Sequence, residues 1–195
     1  PGKYTAELLN TLKQHDAKAT FFLIGANVKE FPDLVKRENS EGHYVGMHSM
    51  THNFAKLYKN GEYVNEMKED QSLIANIIGK SPKLTRPPYG SMPGLNESLR
   101  NKVVEGGFKV WDWTIDSLDW KYNKMQVDAA AAQIAQNVLT NATKPQEVIL
   151  MHDIHPQSVA AVPAILKGLK EKGYEFEAYH EESHFPVNFW HDNRM

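Results

Sequence analysis

The chain has 195 residues, a net charge of −2, 41% apolar residues and no cysteine, with a sequence pI of about 6.6. That length suits one domain with a sizeable core. The balanced charge, without a basic stripe, argues against nucleic acid as a partner, no apolar run approaches the roughly 18 residues that cross a bilayer, and the absence of cysteine leaves only His, Asp and Glu to hold a metal.

Residues 4–15 place Leu8, Leu9 and Leu12 at helical spacing. Asp16 and Ala17 end that helix, and the run Ala19-Thr-Phe-Phe-Leu-Ile24 reads as a strand buried on both faces of a parallel sheet. A helix over about 26–39 follows, interrupted at Pro32. Tyr44 to Met47 is the end of a buried strand, and it delivers His48-Ser49-Met50-Thr51-His52. Two imidazoles four residues apart share one face of a helical turn, so both can reach one ion.

Residues 62–78 form an amphipathic helix with Val64, Met67, Leu73, Ile74 and Ile77 on its apolar face and Gly79 as C-cap. Leu84-Thr85-Arg86 is a short strand broken by Pro87-Pro88. A helix over 94–105, a strand over 108–113, an Ala-rich helix over 126–140 and a strand over 147–151 come next. A helix over 157–171, a last strand over 174–179 and an irregular tail complete the chain. About six strands alternate with helices, and no repeat or composition break divides them. The pattern predicts one α/β domain over 1–195 with a parallel sheet, either doubly wound or closed into a barrel.

His48, Arg86, Asp116 and His152 each fall at or just beyond the C-terminal end of a predicted strand, the edge that carries the active site in both architectures. Taken singly, each has an ordinary alternative: solvated histidines, a surface arginine in a Pro-rich turn, a helix N-cap, a satisfied core histidine. Arg86 can fix a carboxylate bidentately, and Gly90 lets backbone approach a ligand. Asp116 and Asp119 offer two carboxylates beside Trp120, with Trp111 and Trp113 as further platforms for sugar rings. A carboxylate beside His152 would hold its protonated form, as a general acid needs. His180-Glu181-Glu182-Ser183-His184 matches the H-E-x-x-H pattern. It lacks an apolar stripe, meets Pro186 soon after, and reads as surface charge.

In order and spacing these motifs resemble the polysaccharide deacetylases of the NodB-homology type, carbohydrate esterase family 4, and most of all those acting on the N-acetylglucosamine of peptidoglycan. The family's H-[ST]-x-x-[HS] is matched by His48 to His52, its R-x-P-[YF] by Arg86 to Tyr89, its D-x-x-D-W by Asp116 to Trp120, and its L-x-H by Leu150 to His152. The resemblance implies a distorted (β/α) barrel and hydrolysis of N-acetyl groups on a GlcNAc-containing polysaccharide, peptidoglycan or chitin-like, releasing acetate. It implies a divalent metal on His48 and His52, zinc with cobalt or nickel able to substitute. Arg86 would orient a base, the Tyr89 N–H would stabilise the oxyanion, and His152 would be the acid. Asp119 would support His152, with Asp116 as a second candidate, and Leu150 and Trp120 would line the acetyl pocket.

The family's T-F-D-D-G-P motif is represented by what reads as its end, Pro1-Gly2. Its two aspartates, the base and the third metal ligand, and the first barrel strand are therefore expected upstream of this chain. An extracellular or cell-wall location and a monomer are expected too. A glycan-binding module without catalysis and an acetyl-xylan esterase are the alternatives.

Overall fold

All four strand pairings are parallel, which obliges the chain to cross over between neighbours rather than turn back in hairpins. The computed structural model describes residues 1–195. Its elements are α1 (Thr5–Gln14), β1 (Thr20–Leu23), α2 (Gly25–Glu30), α3 (Pro32–Ser40), β2 (Tyr44–Met47), α4 (Tyr63–Ile78), β3 (Leu84–Thr85), α5 (Glu97–Glu105), β4 (Lys109–Val110), β5 (Ile115–Asp116), α6 (Val127–Asn141), β6 (Ile149–Leu150) and α7 (Pro156–Glu171). The chain divides into two compact units, Pro1–Ala19 with Trp113–Glu177, and Thr20–Asp112 with Ala178–Met195.

The unit built on Thr20–Asp112 holds a sheet of order β1-β2-β3-β4, in register Leu23↔Met47, Met47↔Thr85 and Thr85↔Val110. The ladder runs one residue past two of these strands, because His48 N donates to Leu23 O at 2.8 Å and Arg86 N to Met47 O at 3.0 Å. Leu23, Met47, Leu84, Met67 and Ile74 are almost wholly buried, each worth roughly 1.5–3 kcal/mol relative to exposure. Helix α4 has no internal Gly or Pro, and it stops at Gly79, whose φ of +76° gives the left-handed cap. It buries Val64, Met67 and Ile74 as the pattern predicts, and also Glu66 and Asp70.

In the other unit β5 pairs with β6 through Ile115↔Ile149 and Asp116↔Leu150. Ile134, Ala135 and Val138 of α6 meet Ala161, Ile165 and Leu169 of α7 in its core. Small residues let these helices approach closely: a Cβ at Gly168 would lie 2.6 Å from Leu139. Helix α1 adds Leu9 and Leu12, both buried.

Three expectations need correction. No strand forms over 174–179: Lys18 N reaches Phe176 O, and Tyr179 N donates to a side chain, Thr20 Oγ1, so no ladder is built. The sixth strand is β5 instead, two residues long and too short for a periodic signal. β1 is not buried on both faces, since Phe21 and Leu23 are buried while Phe22 is half-buried and carries the Arg86 guanidinium over its ring at 4.3 Å.

Candidate functional site

The segment 48–52 is not the helical turn that spacing suggests. Ser49 and His52 have φ of +73° and +52°, outside the right-handed helix. A loop therefore brings the two rings together, with centroids 5.0 Å apart at 65°. Ser49 Oγ accepts from His52 N at 2.9 Å and fixes that loop internally. His48 Nδ1 lies 2.6 Å from the Arg86 carbonyl. A carbonyl only accepts, so Nδ1 carries the proton and the lone pair sits on Nε2. A histidine ligand whose other nitrogen donates to a backbone carbonyl has this arrangement. By donor type the pair suits two positions of a divalent-metal site. No group of three His, Asp or Glu side chains is arranged to hold a metal ion by itself.

Arg86 follows β3 and is buried. Its Nε donates to Trp111 O at 3.2 Å and its Nη2 to Asp112 O at 2.9 Å. Two of its five N–H groups hold the side chain in place. Burial lowers its pKa to about 10, against the attraction of Asp112, so it stays cationic at neutral pH. Asp112 accepts from Ser91 N, Ser91 Oγ and Phe189 N at 2.8, 2.5 and 2.8 Å. It ties down the loop after Gly90. Sequence reasoning missed it because a fully buried aspartate inside a presumed strand leaves no periodic trace.

Tyr89 has φ +67° and is 60% exposed. Its hydroxyl donates to His52 O at 3.0 Å, and its ring lies 4.7 Å from that of His52. Phe54, which no motif marked, packs at 5.8 Å from Tyr89. Trp111 is no sugar platform: it is buried, its Nε1 donates to Phe185 O, and its ring meets Tyr179 edge-on at 4.8 Å.

In the other unit Asp116 closes β5, and its Oδ1 accepts from Leu118 N at 2.8 Å, a local turn. Leu118 takes φ +58°, and Asp119 begins a 3₁₀ turn, Asp119–Tyr122. Asp119 is wholly buried. Its Oδ1 meets His152 Nδ1 at 2.8 Å, while Oδ2 accepts from His152 N at 2.7 Å and Ser158 Oγ at 2.6 Å. Of the two candidate carboxylates, Asp119 is the one that holds His152. Burial alone would raise its pKa, but the His152 and Ser158 hydrogen bonds bring it below the ordinary value. The His152 side chain is 35% exposed, and its Nδ1 is the nitrogen turned to Asp119. Trp120 is 47% exposed, whereas Leu150 is buried at 8%.

A depressed carboxylate pKa stabilises the fold above its unfolded value, near 3.9, and that stability disappears as pH falls through the lower folded value. Asp119→Asn should cost about 3 kcal/mol at neutral pH, as for other broken buried pairs. The melting-temperature gap from the unsubstituted chain should close below about pH 4. A gap independent of pH would deny the carboxylate this role.

The H-E-x-x-H look-alike is no metal site. Glu181 to Ser183 form only a 3₁₀ turn. Tyr179 hydroxyl lies 3.0 Å from His184 Nδ1, and Met195 O lies 3.2 Å from its Nε2. Nor is the segment mere surface charge, since Glu181 accepts from Tyr44 hydroxyl at 2.7 Å and Lys83 N at 3.0 Å.

The polysaccharide deacetylase family model matches residues 1–111. A peptidoglycan-N-acetylglucosamine deacetylase of Bacillus cereus is 97% identical over all 195 residues, which span 71% of that protein. The crystal structure of the polysaccharide deacetylase Bc1974 from Bacillus cereus superposes with a TM-score of 1.00 at 97% identity, covering 100% of this chain and 95% of that one. A family 4 carbohydrate esterase from Streptomyces lividans, in complex with acetate, gives 0.80 at 31% identity, covering 96% and 93%. The α/β fold is that of these structures, and the chain belongs to the polysaccharide deacetylase family of hydrolases.

Proposed function

We propose that this chain removes N-acetyl groups from the N-acetylglucosamine of a cell-wall polysaccharide, peptidoglycan before chitin, with a divalent metal. The Asp119–His152 couple carries the reading. An amide is cleaved only when its leaving amine gains a proton, and an imidazole braced by a buried carboxylate is suited to supply it. The name of the 97% identical Bacillus cereus relative supports the substrate.

A divalent ion held by His48 and His52, zinc, cobalt or nickel, would supply Lewis acidity at the acetyl carbonyl. In this reading the base and the third ligand are the two aspartates of the family's T-F-D-D-G-P motif. Arg86 orients the base carboxylate through its remaining N–H groups. Water oxygen bonds to the acetyl carbon, and the Tyr89 N–H donates to the oxygen that gains charge. As the C–N bond breaks, His152 Nε2 passes its proton to nitrogen, and Asp119 stabilises the cation until then. Asp116 shapes the turn that presents Asp119. Trp120 and Leu150 would line the pocket for the acetyl methyl. Action on peptidoglycan would put the protein outside the cell or at the cell wall. No helix is long and apolar enough to cross a membrane.

Full-length protein should release acetate from peptidoglycan and from chitin oligomers, lose that activity to a chelator, and regain it with zinc. Likeness to esterase structures, including the Xyl-CE4 domain of a multidomain xylanase at 29% identity, favours acetylated xylan as the second substrate to try. Release from xylan alone would make the chain an esterase. Glycan binding without release would make it a binding module.

A further inference from the structure

Helix α4 carries two carboxylates one turn apart, Glu66 and Asp70, among its buried residues, at 8% and 0% exposure. Buried carboxylates are costly unless donors meet them, and here the donors come from one short segment. Glu66 Oε2 accepts from Met50 N and Thr51 N, each at 3.0 Å, and Thr51 Oγ1 donates to Glu66 Oε1 at 2.8 Å. Asp70 Oδ2 accepts from His48 N at 3.1 Å. All four donors belong to residues 48–51, the stretch that joins the two imidazoles.

That stretch has no glycine, yet Ser49 and His52 adopt left-handed backbone. Such conformations persist only where the surroundings over-determine them. We propose that Glu66 is a positioning residue for the His48–His52 pair, with Asp70 fixing the His48 end, so that α4 sets the spacing of the imidazoles before a cation arrives. This rests on the metal reading above. Glu66 bonds to Met50 and Thr51, between the two histidines. It acts through the Met50 and Thr51 backbone.

The test is zinc titration calorimetry on full-length protein, with amide hydrogen exchange of the zinc-free form. Glu66→Ala should weaken zinc binding roughly 10–100-fold, as loss of a ligand's supporting partner does elsewhere, and should speed exchange at Met50 and Thr51. Glu66→Gln should recover most of the affinity, because its carbonyl oxygen still accepts both N–H groups. Ile74→Ala, a core truncation on the same helix, should lower the melting temperature while leaving zinc affinity within about twofold, since it removes no support from the loop. Undiminished zinc affinity in Glu66→Ala, or an equal loss in Ile74→Ala, would overturn the inference alone. Failure of the unsubstituted protein to bind zinc would overturn the metal reading, and this inference with it.

Discussion

Replacing His48 and His52 together by alanine is expected to abolish zinc binding by the full-length protein, and acetate release with it. A complete zinc site is worth roughly 10–16 kcal/mol, and losing two of its imidazoles leaves too little to hold the ion at micromolar concentration. The Arg86 carbonyl, 2.6 Å from His48 Nδ1, holds a proton on that nitrogen, so the neutral ring offers Nε2 to a metal. His180→Ala is the matched control. It lies in a tail whose neighbour His184 faces Tyr179 and Met195, and its loss should leave zinc binding intact. Calorimetry on both variants checks the pair of outcomes. Zinc binding that survives the double replacement would move the metal elsewhere.

His152→Ala should lower kcat on N-acetyl substrates by roughly 10²–10⁴-fold, the usual contribution of a positioned general acid, with KM little changed. The same variant should lose far less on an activated aryl acetate, whose phenolate departs without a proton. That contrast separates proton donation from a general collapse of the site. Steady-state kinetics on the two substrates decides it. Equal losses on both would take His152 out of the proton-transfer step.

The parts of this molecule legible in the sequence are those that periodicity encodes. Apolar runs located β1 and β2, the 3.6-residue pattern located α1 and α4, and the motifs fell at the strand ends where His48, Arg86 and His152 stand. What stayed illegible depends on partners distant in the chain. Asp112 and Glu66 look like ordinary surface acids until the donors from Ser91, Phe189, Met50 and Thr51 meet them. The choice between Asp116 and Asp119 turned on a three-residue offset that only the Asp119 hydrogen bonds to His152 resolve. The four-residue histidine spacing suggested a helical turn, and the positive φ of Ser49 replaced it with a loop that still brings the rings together. The strand over 174–179 failed for a related reason. Its apolar pattern was adequate, but a side-chain acceptor on Thr20 took the place of a neighbouring backbone.

The extension of the ladder through His48 N to Leu23 O and Arg86 N to Met47 O bears on how the protein fails under stress. Groups anchored beyond a sheet's last bond commonly fray before the sheet opens, and function then disappears below the melting point. Here the backbone of two working residues is itself part of the parallel ladder. Their amides should exchange with solvent only when the strands separate, and the chemistry should survive heating for as long as the sheet does. For His48 and Arg86, displacement and opening of this sheet then become one event.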